Sequence, residues 1–409
     1  MSYKIAKNTL FLYLSQGINL IFPLLILPFL IQRITIEGVG IIILLQVIMS
    51  YGNTLVDFGY NLIGVKEISS THCELVRDQV LSDSLYVKTI SVFLSLGLIL
   101  FSGLFINNLI GEWKLIFYGW LGVLGYAYYP IWYFQGIEKM HIISIINISS
   151  KLIVFCSILM FVNTKDDLDL VILIFSLGFI INSCISWFLI LVIQKRKIKK
   201  SELKKIKQIF RSSKDVLFSN MLVQVYSNIV IVFSSGLLSA QQIGVLGVYL
   251  KLKDIAQSII GPIQQAVFPT ISLLVSKNKT TKLRKLVRNT LLVLSGIVLL
   301  FFSILLIFFN DINELLFDNQ TSISVMFYFS LVLAFIHFGG VYTKVIVSFN
   351  KMKWILYSTI FSGIVSVLFP HYFMNKFGLI GALIVIALSY FFNSIISYFY
   401  YRKLMLNKE

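Results

Sequence analysis

The chain has 409 residues, of which 57% are hydrophobic and only 13% charged, with a mean hydropathy of +0.87. A soluble domain carries roughly 25% charged residues, so water is excluded as the solvent for most of this surface. The formal net charge of +17 would suggest nucleic acid in a soluble protein. In a membrane protein the same excess is expected of loops kept in the cytoplasm, and nucleic acid drops out as a partner.

A bilayer core about 30 Å thick needs about 20 apolar residues of helix. Windows of that kind fall at Thr9–Ile31, Val39–Val65, Thr89–Ile106, Trp113–Phe134, Ile142–Val162 and Leu168–Ile193. They resume at Val216–Leu238, Ile243–Val275, Thr290–Phe309, Ile323–Phe349, Trp354–Phe373 and Gly378–Tyr401. Continuous apolar runs rather than alternation carry the signal, which excludes a β-barrel. The expected class is therefore an all-α membrane protein with about 12 transmembrane helices in two six-helix lobes. The first run is too long for a signal-peptide core and reads as a retained span. Three cysteines, Cys73, Cys156 and Cys184, form no disulfide framework.

Orientation follows from the basic residues. With Met1 in the cytoplasm, 27 of the 35 Lys and Arg fall in inside segments, and only Arg33, Lys114, Lys165 and Lys376 fall outside. Both termini are thus expected in the cytoplasm. The densest basic run divides the chain into residues 1–194, an N-lobe with spans 1 to 6, 195–215, a basic cytoplasmic linker, and 216–409, a C-lobe with spans 7 to 12. Within the linker, Leu203, Ile206, Ile209 and Phe210 recur at helical spacing among lysines. Either an amphipathic helix on an anionic leaflet or a disordered basic linker fits. Gln16…Asn19 loosely echoes Gln224…Asn228, and Glu74-Leu-Val-Arg-Asp78 echoes Lys285-Leu-Val-Arg-Asn289 at the equivalent point of the second half. Such echoes suit a parallel duplication.

Outward loops are short, no Gly-x-x-x-x-Gly-Lys-Ser/Thr loop exists, and His72, His141, His337 and His371 sit on four separate segments. No catalytic group, metal site or cofactor is expected, and enzyme is the losing class.

Charges inside spans cost about 2.5–3.5 kcal/mol on insertion scales and therefore face a cavity or a partner. Lys151, Lys251, Lys253 and Lys344 are such residues. They could line a path for an anionic headgroup such as pyrophosphate, or pair with neighbouring helices. Lys251 and Asp254, three residues apart, could pair on one face. Asp57, Asp254 and His337 are candidates for ion coupling or gating, with a hydrogen-bonded structural role as the competing reading. Pro23, Pro28, Pro262 and Pro269 remove backbone donors and are candidate hinges. The densest aromatic cluster, Tyr126 to Tyr133, places Tyr129 and Trp132 as candidates for a sugar-facing wall.

Three segments carry a resemblance. They are Asn8-x-x-x-Phe11…Gln16-x-x-Asn19-x-x-x-Pro23-x-x-x-x-Pro28, Asp57-Phe-Gly-Tyr-Asn61…Lys66-Glu67-Ile-Ser69, and Pro130-x-Trp132-Tyr-Phe-Gln135-Gly136-x-Glu138. Together with Tyr249…Lys253…Pro262…Phe268-Pro269, they resemble the Wzx-type O-antigen flippases of the multidrug/oligosaccharidyl-lipid/polysaccharide (MOP) exporter superfamily. Gln135, Gly136 and Glu138 are the most specific part of the match. Thr35 stands where a turn glycine is expected, and Lys66 where arginine is frequent.

The resemblance implies a MATE-like fold in the bacterial inner membrane. The implied cargo is an undecaprenyl-pyrophosphate-linked oligosaccharide, moved by alternating access, with a proton or sodium gradient as the driving force. Implied partners are membrane lipids, a polysaccharide polymerase and a chain-length regulator. Two rivals stand beside this expectation: an ion-coupled drug exporter of the same superfamily, and a membrane-embedded polysaccharide polymerase.

Overall fold

The computed structural model describes the backbone of residues 2–71, 73–106 and 109–406, with side chains at 17 and from 21 onward. His72 and the side chains of Asn8, Phe11, Gln16 and Asn19 lie outside the described residues. Among the described residues every regular element is helical. Nine helices among the described residues are long and apolar enough to cross a membrane, and Met352–Leu368 is a shorter apolar helix. The all-α membrane architecture follows. In hydrocarbon each backbone N–H must find its carbonyl within the chain, and a helix does this locally.

Two compact units share the chain, Met1–Met221 and Leu222–Glu409. In the first, α1 (Ser2–Asp57) is broken at Thr35, whose φ of 66° and ψ of 167° are not helical. The break divides the helix into the first two expected spans. Pro23 and Pro28 lie inside the first part, so the departure from helix comes after them. The second expected span, Val39–Val65, does not run through. Phe58 (φ 47°) and Gly59 (φ 72°) turn the chain into a separate short helix, α2 (Tyr60–Ser69). A Cβ on Gly59 would lie 2.8 Å from Val216, so the turn needs glycine for space as well as for φ.

α3 (Glu74–Phe105) starts well before the expected Thr89. Its polar first half is held by partners. Ser201 Oγ donates to Asp83 Oδ1 at 2.5 Å, Gln79 Nε2 donates to the same oxygen at 2.9 Å, and the Lys199 N–H donates to Ser82 Oγ at 2.7 Å. The basic segment after span 6 is thereby tied along α3. The expected fourth span is also split. α4 (Trp113–Ala127) ends before Pro130, which disfavours helix at the residue preceding it, and α5 (Ile131–Gly136) follows. α6 (Met140–Phe161) and α7 (Leu168–Phe188) complete the set, with Ser150 Oγ donating to the Gly178 carbonyl at 2.7 Å between them. Hydrogen bonds of this kind help hold helices together where lipid removes the hydrophobic driving force.

The stripe read as a leaflet-facing amphipathic helix is the start of α8 (Leu203–Ser234). Ile206 and Ile209 are buried in the same core cluster as Tyr60, Ile68, Trp132 and Phe134. The apolar face is therefore spent on protein packing, and only Leu203 stands exposed.

In the second unit, α9 (Ala240–Ser276) runs as one helix through Pro262 and Pro269 and starts with a capping box, Ser239 with Gln242. α10 (Thr280–Ile307), the short α11 (Phe309–Phe317), α12 (Ile323–Ser348), α13 (Met352–Leu368) and α14 (Pro370–Leu406) follow. α14 is broken at Gly378, with φ 54° and ψ −129°. Buried serines again bridge helices: Ser394 Oγ donates to the Phe335 carbonyl at 2.9 Å and accepts the Gly339 N–H at 3.1 Å.

Thr35 occupies a backbone region that is essentially reserved for glycine, at a cost of about 1–3 kcal/mol. Thr35→Gly removes this strain but gives back part of the gain through the greater entropy of glycine in the unfolded chain, so it is expected to stabilise the protein by about 1 kcal/mol. Thermal unfolding of the detergent-solubilised protein reads the change. A lowered midpoint would show that the threonine side chain contributes more than its conformation costs.

Candidate functional site

The first charge cluster joins α1 to α3. Asp57 is the last residue of α1, and its Oδ1 accepts from Lys88 Nζ at 3.2 Å and from the Asn61 N–H at 3.3 Å. Lys88 Nζ also approaches the Asp57 carbonyl, at 3.5 Å. The side chains are 6% and 13% exposed, so this is a buried ion pair. Sequence reasoning placed Lys88 in a cytoplasmic loop because a charge ended the hydropathy window. The available signal was the intramembrane carboxylate itself, which required a cation nearby. Asp57 is bonded to backbone at a helix end, as its structural reading expects, and is also paired with Lys88.

The second cluster lies on α9. Lys253 is 2% exposed, with Nζ 3.3 Å from Asp254 Oδ1 and 5.9 Å from the centre of the Tyr390 ring. Tyr390 in turn meets Tyr226 edge to face at 5.9 Å. Asp254 is largely exposed and pairs with Lys253, and it also acts electrostatically on Lys251, as the spacing suggests. Lys251 is half-buried on the same helix. His337 is buried on α12. Its Nε2 lies 3.0 Å from Ser295 Oγ, and its carbonyl accepts from Gln264 Nε2 at 3.2 Å. These bonds cross to α10 and α9, so the histidine ties three helices together.

Lys151 and Lys344 each lie over an aromatic face. Lys151 Nζ on α6 is 5.2 Å from the Phe22 ring centre, and Lys344 Nζ on α12 is 5.3 Å from that of Phe268. Both are half-buried. Cation–π contact of this kind contributes about 0.5–2 kcal/mol. It holds an ammonium in an apolar setting without cancelling its charge. Phe22 and Phe268 are neighbours in sequence of Pro23 and Pro269.

Tyr129 and Trp132 are corrected. Trp132 is 2% exposed, packed edge to face on Tyr60 at 5.2 Å in the core cluster of the first unit. No face of its indole is open to stack on a sugar. Tyr129 is 5% exposed and belongs to the same cluster. The motif Gln135, Gly136 and Glu138 is a packing and turn device. A Cβ on Gly136 would lie 2.6 Å from Ile68, and one on Gly64 would lie 2.5 Å from the Trp132 ring. Two glycines thus let α2 and α5 close on one another. Glu138 has a φ of 58°, and its N–H donates to the Gln135 carbonyl at 3.0 Å, ending α5.

Beside this motif an open cavity of about 500 Å³ is lined by Arg77, Tyr133, Glu138, Lys139, Gln194 and Arg196, among others. Tyr133 donates from its hydroxyl to Gln194 Oε1 at 2.7 Å. Ser69 and Tyr133 of this wall fall in segments already singled out from the sequence, and Arg196 falls in the basic linker, whereas Gln194 lies in neither. Arg77 stood in plain view within the Glu74–Asp78 echo.

The Asp57–Lys88 pair makes a specific stability prediction. Removing one member leaves the other charge buried, which costs about 3–5 kcal/mol. Lys88→Met is therefore expected to lower folded yield and thermal midpoint sharply. Lys88→Met combined with Asp57→Leu removes both charges and should recover most of the loss. Equal loss in the single and double variants would refute the pairing.

Family comparison places this chain. The model for "Polysaccharide biosynthesis protein" matches residues 5–275, and the MatE model matches residues 216–373. A "Putative O-antigen transporter" of Escherichia coli K12 is 28% identical over 276 residues, which span 65% of this chain and 64% of that relative. The alignment thus covers less than two thirds of the relative's length. The inward-facing structure of a multidrug resistance MATE family transporter of the MOP superfamily superposes with a TM-score of 0.62 at 14% identity, over 98% of this chain and 95% of that one. The outward-facing structure of a MATE transporter of the same superfamily gives a TM-score of 0.56 at 12% identity, over 99% and 96%. The fold is therefore MATE-like, and the chain belongs to the polysaccharide biosynthesis protein family.

Proposed function

We propose that this chain is a transporter rather than an enzyme, a flippase of the bacterial inner membrane. Its cargo is an oligosaccharide carried on undecaprenyl pyrophosphate, an O-antigen or related surface repeat unit, and no covalent bond is made or broken. The observation that carries the reading is the set of span lysines, Lys151, Lys251, Lys253 and Lys344, distributed over both units. Cations held in apolar helices suit a pyrophosphate headgroup crossing the bilayer. The family match and the O-antigen transporter relative support the cargo class. Inward- and outward-facing forms of MATE transporters with this fold support alternating access.

In this reading the termini and the basic segment 195–215 are cytoplasmic, with 1–194 and 216–409 as the two lobes. Pro23, Pro28, Pro262 and Pro269 are the bending points. Asp57, Asp254 and His337 are the groups through which a proton or sodium gradient couples. Because Asp57 is paired with Lys88, coupling through it and rearrangement of α1 against α3 are one event. Polysaccharide polymerase and chain-length regulator are the partners that would receive the cargo.

A drug exporter is the second reading, favoured by the MatE match over residues 216–373. Against it, both span acids, Asp57 and Asp254, are paired with lysines, which disfavours a cationic drug.

Lys151→Ala with Lys253→Ala tests the cationic path in a strain lacking the native gene. Losing hydrogen bonds to a charged group costs about 1.5–3 kcal/mol each, so export should fall at least about tenfold. Surface polysaccharide on gels and the amount of protein in membranes are read together. Wild-type polysaccharide at normal protein levels would overturn the lysine path.

A further inference from the structure

We infer that the cavity beside α5 is a binding site for a phosphate ester or pyrophosphate group, separate from the span lysines. It lies wholly within the first unit and is walled by the end of α2, the start of α3, the α5–α6 turn and the segment after α7. Three cations, Arg77, Lys139 and Arg196, line it against one carboxylate, Glu138.

Both guanidiniums are fixed before any ligand arrives. Arg77 donates from Nε and Nη2 to the Thr71 carbonyl, at 3.1 and 2.8 Å. Arg196 Nη2 pairs with Glu74 at 2.9 Å, while its Nη1 stands 3.8 Å from Asp78, beyond hydrogen-bond range. Glu74 and Asp78 do not belong to the cavity lining, so they orient Arg196 from behind. The Arg77 guanidinium held this way presents its Nη1–Nη2 edge as a preformed fork for phosphate oxygens, while Arg196, turned toward Glu74 and Asp78, contributes charge. Lys139 supplies a mobile point charge from the residue that precedes α6. The positive end of the α6 dipole adds to it.

Size excludes the simplest alternative. A cavity of about 500 Å³ is in the range of small-molecule sites and exceeds what a single chloride or carboxylate fills. Cations on three different wall segments suit a group with several anionic oxygens. Phosphate-bearing ligands reach such a site from two sources, a lipid headgroup or a soluble phosphate compound. The lipid source rests on the flippase reading; the site itself does not.

Isothermal titration calorimetry of the purified full chain with sodium pyrophosphate tests it, with sodium sulfate at matched ionic strength as control. Saturable one-site binding to pyrophosphate, absent with sulfate, is expected. Lys139→Gln and Ser69→Glu change exposed positions at the rim and should each weaken binding at least about fivefold. Arg77→Lys keeps the charge but loses the fork, and should fall between them and wild type. No saturable binding, equal binding of sulfate, or binding unmoved by Lys139→Gln and Ser69→Glu would overturn the inference.

Repeating the titration in nanodiscs with and without a polyprenyl pyrophosphate separates the sources. Weakened pyrophosphate affinity in its presence assigns the site to the lipid headgroup, and unchanged affinity assigns it to soluble phosphate compounds. Polysaccharide export is read independently. A chain that binds pyrophosphate but exports nothing refutes the flippase reading alone, and the reverse result refutes this site alone.

Discussion

A charge taken into the hydrocarbon region loses its hydration and must recover that free energy from the protein. The molecule meets this constraint in two different ways. Lys88 and Asp57 meet it by direct pairing, which leaves a nearly neutral, stiff connection from the end of α1 to the middle of α3. Lys151 and Lys344 lie over the faces of Phe22 and Phe268, which stabilise an ammonium without neutralising it. The first solution suits structure or switching; the second helps hold an ammonium among apolar side chains.

The same constraint explains the serines. With no hydrophobic gain available between helices in lipid, close packing and interhelical hydrogen bonds hold each unit together. Ser150 bonding to Gly178 and Ser394 bonding to both Phe335 and Gly339 are examples from the two units. Gly64 and Gly136 do the equivalent through sterics, allowing α2 and α5 to touch at backbone distance. Large apolar side chains such as Phe93, Phe101 and Phe105 on α3 and Leu299 and Leu300 on α10 are left facing outward. That is the pattern expected where lipid, not water, covers the surface.

Most of the spans were legible in the sequence because hydropathy averages over about 20 residues. Their ends were not, since a helix continues into polar sequence whenever its charges find partners. α3 begins at Glu74 because Asp83 Oδ1 and Lys88 find partners, facts that no window average contains. The break after Asp57 is set by two residues, Phe58 and Gly59, too few to interrupt an apolar run. Thr35 was readable, since a glycine was expected where the structure has a positive φ. Trp132 was misplaced because composition shows that aromatics cluster but not which way they face. The cavity at Arg77, Lys139 and Arg196 joins residues far apart in sequence, and no local pattern brings them together.

The central claim is that the chain carries a pyrophosphate-linked glycolipid across a bilayer. Purified protein reconstituted into vesicles, with a polyprenyl-pyrophosphate-linked sugar loaded in one leaflet, measures this directly through the label that becomes accessible in the opposite leaflet. The proposal predicts transfer that depends on the protein and falls when Lys151 is neutralised. No transfer of the glycolipid, with brisk movement of a small cationic dye through the same vesicles, would contradict it.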